Sequence, residues 1–194
     1  MSGRAIVRRL GARLETANAL RAKGNADVGR SKEAACGGGG STGLHLMRAE
    51  NRYTESMLAL PPLLLQRFSA KDTRGNVQAF AKLRDAHAFA LANRALCSLK
   101  RAEDTRLERR EAEQRYRYAR NDCSIALFLK PEYEMARHRR ALANFEMARI
   151  VAAAEVEVET GECRRALTLL ARAISDWEIL HDIAGARMKA SGTN

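Results

Sequence analysis

Residues 91–131 read LANRALCSLKRAEDTRLERREAEQRYRYARNDCSIALFLKP, and within them Ala95 is followed by Ala119, then Cys123 four residues on, Ala126 seven on and Pro131 twelve on. The same set of intervals recurs on both sides. Gly24 leads to Ala49, Tyr53, Ser56 and Pro61, and Ala141 leads to Ala166, Leu170, Ala173 and Glu178. Residues four and seven apart share one face of an α-helix, so each set describes a short side chain in one helix facing a stripe in the next. Helices approach closely only where side chains are short. The spacing therefore predicts three helical hairpins.

Composition points the same way. Among 194 residues, 46% are hydrophobic but only 5% aromatic, and three are proline. Ala, Leu, Arg and Glu dominate, which favours helix over strand. The expected fold class is all-α. The 34 Lys and Arg exceed the 23 Asp and Glu, and a net charge of +11 predicts an acidic partner. Cys36, Cys97, Cys123 and Cys163 form no CxxC pair, and His45, His87, His138 and His181 are equally scattered, so no metal site and no cofactor are expected. Cys97 and Cys123 fall in helical apolar patterns, where a thiol packs as a small hydrophobe. A reducing compartment, the cytoplasm, suits them. The most apolar stretch, 57–65, is interrupted by Pro61 and Pro62, so no membrane span is expected. Neither a Ser/His/Asp nor a Cys/His order emerges, so no enzyme is expected.

The hairpins take the repeat boundaries 15–62, 76–131 and 132–182 within a domain of 15–182. A basic segment, 1–14, precedes it and a frayed tail, 183–194, follows. The first fourteen residues, MSGRAIVRRLGARL, carry four arginines and no acid, which resembles a mitochondrial targeting peptide. The plainer reading is a basic lead-in to the first helix. That helix is expected at 14–30, before the glycines of CGGGGSTG, which read as a linker. The next is expected at 46–60 and stops at the proline pair. After a connector at 63–75, with a possible helical turn at LLLQRF, a long helix is expected at 76–102. Its partner starts at a cap on Asp104 or Thr105 and runs to Pro131. The last pair is 132–159 and 162–182, joined by a turn at Thr160 and Gly161.

The interval set resembles the tetratricopeptide repeat, a helix-turn-helix unit of roughly 34 residues with small residues at the helix contact and a proline near its end. The resemblance implies a right-handed superhelix of three antiparallel hairpins with a concave inner face, acting as a protein-binding scaffold. One departure is systematic. The family places the two small residues about twelve apart, whereas here they span 24 to 49, 95 to 119 and 141 to 166. Elongated helices are expected in the second and third hairpins, and mostly the glycine loop in the first.

A narrower resemblance lies in LRAKGN at 20–25, LANRA at 91–95 and LKPEYEMARHRRA at 129–141. These segments are similar to co-chaperones that hold the acidic carboxyl-terminal tail of heat-shock chaperones in a carboxylate clamp. The resemblance implies peptide binding by Arg21, Asn25, Asn93, Met135 and Arg139. A terminal carboxylate takes charge-assisted hydrogen bonds from cations and amides, and pairs at i and i+4 present two groups on one helical face. Arg21 stands where the family has Lys, replacing a compact ammonium with a planar fork. Met135 also replaces a Lys, which removes the cation for the second carboxylate of a terminal Asp. Arg94, Arg137 and Arg140 compensate only if they face the groove, and helical spacing sets Arg137 and Arg140 off the Arg139 face.

Residues 100–120 are the most basic stretch, with seven arginines from Arg101 to Arg120 and Tyr116 and Tyr118 among them. An RNA- or ribosome-associated role is the alternative they suggest, Arg for phosphates and Tyr for stacking. Interleaved acids at Glu103, Asp104, Glu108, Glu111 and Glu113 favour a solvated, self-paired helix instead.

Overall fold

A computed structural model of the chain describes residues 3–36, 42–60, 77–104, 107–153 and 160–191. Among them are six helices and no strand: α1 (Gly3–Cys36), α2 (Thr42–Ala59), α3 (Val77–Ala102), α4 (Arg109–Leu129), α5 (Glu134–Ala152) and α6 (Thr160–Ala190). The all-α class is thus observed. The glycine run, the connector at 63–75, Thr105 and the residues before Thr160 lie outside the described ones.

The repeating small residues are the contacts between paired helices. Ala49, Ala95, Ala119, Cys123, Ala126, Ala141 and Ala173 are fully buried, and Tyr53 and Ser56 nearly so. Gly24 shows the tightest fit. A Cβ there would sit 2.7 Å from Cε1 of Tyr53, closer than carbon atoms pack, so the ring needs a residue with no side chain beneath it.

Cross-helix bonds set the direction of each pair. Tyr53 reaches Asn25 while Ser56 reaches the Ala17 carbonyl, so α1 and α2 run antiparallel. Arg94 with Asp122 and Lys130 with Asp85 do the same for α3 and α4, and Arg140 with Asp176 and Arg187 with Glu134 for α5 and α6. Successive hairpins then stack. Packing joins α2 to α3 and α4 to α5, and the first helices touch in the order α1, α3, α5. The core follows this stacking: Cys97 of α3 closes the cluster of Val28, Leu46, Ala49 and Tyr53, and Ala136 of α5 closes that of Ala88, Leu91 and Ala126. No pair buries its apolar face without its neighbour.

Several boundaries differ from the expected ones. In the first hairpin the excess length is helix more than glycine loop, since α1 continues from Gly24 to Cys36 and α2 already begins at Thr42. The basic lead-in is helical from Gly3, and the expected frayed tail is helical to Ala190. Thr160 and Gly161 open α6 instead of forming the turn. Asp104 does not cap α4; Glu108 holds that position without a side-chain cap, while the Asp104 carbonyl accepts from the Leu107 N–H in a turn, and the alternative cap, Thr105, lies outside the described residues. Two expectations hold closely. Helix α2 ends at Ala59, just before the prolines, and α4 ends at Leu129, where Pro131 has no N–H to extend it.

Candidate peptide-binding row on the first helices

Each first helix contributes a pair of residues four apart: Arg21 and Asn25 from α1, Phe89 and Asn93 from α3, Met135 and Arg139 from α5. At that interval both members of a pair lie on one face. Because α1, α3 and α5 are neighbours in the stack, the three pairs come together. Tyr53 donates its hydroxyl to Asn25 Oδ1 at 2.8 Å, and Asn93 Nδ2 donates to the same oxygen at 3.2 Å. Arg139 in turn donates one Nη1 to Asn93 Oδ1 at 3.2 Å and to the Ala92 carbonyl at 2.7 Å. One continuous polar row therefore crosses four helices, from Tyr53 of α2 through α1 and α3 to α5.

The second half of the site is aromatic and cationic. The Arg21 guanidinium lies 5.2 Å from the centre of the Phe89 ring, Lys130 Nζ lies 5.4 Å from it, and Tyr133 meets it edge-on at 5.1 Å. Cations near a ring face are attracted by its quadrupole, so Phe89 is a platform that holds two of them. Burial raises the Tyr133 phenol above its ordinary range, and the positive charges of Arg139 and Arg21 act against that rise. Tyr53 is raised for the same first reason, and the same two arginines oppose it. Arg21 and Arg139, far apart in the chain, thus bear on the same two rings.

Four of the five expected residues belong to this assembly. Asn25 and Asn93 are hydrogen-bonded to each other, Arg139 is buried against Asn93, and Arg21 sits on Phe89. Met135 is 51% exposed and takes no part in the polar row. None of the considered replacements for the missing lysine faces the row. Arg94 makes two 2.7 Å bonds to Asp122, and Arg137 and Arg140 both bond to Asp176. The nearby cation is Lys130, bonded to Asp85 at 2.9 Å.

Phe89, Tyr133 and Lys130 were not legible as site residues. Phe89 does carry a signal in hindsight, for it precedes Asn93 by the interval that links Arg21 to Asn25. Lys130 and Tyr133 flank Pro131, and the turn between α4 and α5 brings them to Phe89.

The basic stretch 100–120 is paired only in part, and partly with another helix. Arg101 and Arg115 engage Glu50 of α2, the latter at 3.6 Å, and Arg117 bonds Glu113 at 3.1 Å. Tyr116 is buried and has no face to offer a base, whereas Tyr118 is exposed. Among the described residues no helix is long and apolar enough to cross a membrane, and no cluster of His, Cys, Asp and Glu is arranged to hold a metal. No protein-family model, curated protein or solved structure matches the chain.

Proposed function

We propose that this chain is a protein-binding adaptor of tetratricopeptide type, its three elongated hairpins forming a right-handed superhelix that takes an acidic carboxyl-terminal peptide, of the kind heat-shock chaperones carry, on the face of α1, α3 and α5. The observation that carries this reading is the hydrogen-bonded row Tyr53–Asn25–Asn93–Arg139 with Arg21 beside it. Fixed amides and guanidinium groups are what a terminal carboxylate and the last peptide groups need. The row is already ordered by its own bonds, which lowers the entropy lost on binding.

Arg21 and Arg139 supply charge in this reading, and Asn25 and Asn93 hold the extended backbone in register. Lys130 on the Phe89 platform supplies the cation that Met135 lacks. The reading involves no catalysis and no cofactor. Titration with a labelled Met-Glu-Glu-Val-Asp peptide beside its carboxyl-amidated form tests it. The acid form is expected to bind at least about tenfold more tightly, the worth of one charge-assisted contact. Equal affinity for the two would sink the clamp.

A further inference from the structure

The opposite side of the second and third hairpins carries a cleft between α4 and α6 with a different chemistry. A cavity of about 580 Å³ is lined there by Arg117, Arg120, Arg164, Arg165 and Arg172, and floored by Met147 and Leu169. A second, of about 490 Å³, adjoins it, shares Arg120 and Arg172, and adds Asn121, Ser175 and the ion pair of Arg140 with Asp176. The acids near these arginines are few. Glu113 takes Arg117 and Arg165, and Asp176 takes Arg137 and Arg140. Among the described residues no carboxylate pairs with Arg120, Arg164 or Arg172.

This arrangement costs the folded chain stability. Burial and then the charges of Arg172, Arg117 and Arg165 press the Arg120 pKa below its ordinary value. Arg164 and Arg165 lie in the second turn of α6, facing Arg117 and Arg120 of α4 across the cleft. A surface needed only for solubility spreads its charges or pairs them. Here unpaired guanidinium groups from two helices face one concavity, and an anion seated among them removes the repulsion.

We propose that the α4–α6 cleft binds a small anion carrying clustered phosphate groups, held chiefly by Arg120, Arg164 and Arg172. Planar guanidinium forks match phosphate oxygens two at a time. The cavity is of small-molecule size; the Ser124 and Thr168 hydroxyls donate to the Arg120 and Arg164 carbonyls, which leaves the arginines to meet the phosphate oxygens. No aromatic residue lines either cavity, so nothing there stacks a base as single-strand binders require. That favours a polyphosphate or inositol-phosphate type of ligand over a nucleic acid. The site is independent of the peptide row on the opposite helices.

Calorimetric titration of the full chain with inositol hexakisphosphate, tripolyphosphate and a 15-residue polyuridylate, at physiological salt, tests the proposal. The two phosphate probes separate a ring of phosphates from a linear chain, and binding of either supports the site. Replacing Arg120 and Arg172 together with Gln is expected to weaken binding by about a hundredfold, two charge-assisted contacts of about tenfold each. The same change at the exposed Arg48 and Arg84 is expected to alter it less than about twofold. Arg164→Gln serves as a second variant: Arg164 is exposed, so the change is expected to leave the melting temperature of the unliganded chain within a few degrees while weakening the anion about tenfold. Equal weakening by both double replacements, an Arg164→Gln affinity equal to that of the native chain, or no binding of either phosphate probe would overturn the proposal. Polyuridylate binding as tightly through the same arginines would also overturn it, in favour of nucleic acid.

Discussion

Lysine at position 135 places a cation where the clamp resemblance has one, in addition to Lys130 on the Phe89 platform. Met135 is 51% exposed, so the substitution empties no core and is expected to change stability by less than about 0.5 kcal/mol. Its ammonium stands one helical turn from Arg139, in reach of the side-chain carboxylate of a terminal Asp. A fully exposed ion pair is worth up to about 1 kcal/mol, and a charge-assisted bond in a desolvated site about 1.5 to 3. Half-exposure, reduced further by the bound peptide, places the gain near about 1.4 kcal/mol, a tenfold tighter complex. Fluorescence anisotropy with a labelled Met-Glu-Glu-Val-Asp peptide in physiological salt measures it. A peptide ending in Asn serves as the control, because it keeps the terminal carboxylate and loses only the side-chain charge. Met135→Lys is expected to tighten the Asp peptide and leave the Asn peptide within about twofold. An equal gain for both peptides would mean that the lysine acts through bulk charge and that position 135 does not face the ligand. No gain for either would refute the placement of the terminal Asp beside α5.

Three other outcomes follow from the structure. Asn93→Ala removes the link between Asn25 and Arg139, and is expected to weaken the acid peptide by roughly tenfold while the amidated form barely changes, read by the same anisotropy. Gly24→Leu drives a side chain into the Tyr53 ring and is expected to cost about 1 to 3 kcal/mol in chemical denaturation; an unchanged midpoint would show that α1 and α2 separate there without penalty. Burial pushes the Cys97 and Cys123 thiols up to about 12, so their thiolates stay scarce from pH 7 to 9, and alkylation in that window is expected at the exposed Cys36 and Cys163 alone until the chain unfolds.

The sign of the cysteine prediction rests on which form burial disfavours. Desolvation penalises the charged thiolate, so the folded pKa lies above the ordinary value near 8.5. Both forms of the chain carry a neutral thiol below that value. As pH rises past it, unfolding increasingly releases protons from Cys97 and Cys123, and stability falls between that pH and the folded pKa of about 12.

The interval from Gly24, Ala95 and Ala141 to their partners was readable because it is short-range chemistry. A helix fixes which residues share a face, and a contact between two helices joined by a short turn demands small residues at a set distance. For the same reason Cys97 and Cys123 were legible as buried. Helix ends were less so. Glu108 opens α4 with no side-chain cap, and α6 continues past Asp182 to Ala190 on a largely exposed segment tied to α5 by the ion pair of Arg187 with Glu134.

The all-α class, the pairing of helices and the residue types at the row, Arg21, Asn25, Asn93 and Arg139, are written in the spacing of the chain. Which charges remain available is set by the packing of the helices. Arg94, Arg137 and Arg140 look no different in sequence from Arg120, Arg164 and Arg172, yet the first three are held by Asp122 and Asp176, whereas among the described residues no carboxylate pairs with the last three. The same holds for Phe89, which becomes a platform because α1 brings Arg21, and the turn before α5 brings Lys130, to its ring. Periodicity along one helix constrains neighbours a few residues apart. Whether a cation is paired depends on a side chain dozens of residues away, and only the stacking of the hairpins sets that distance.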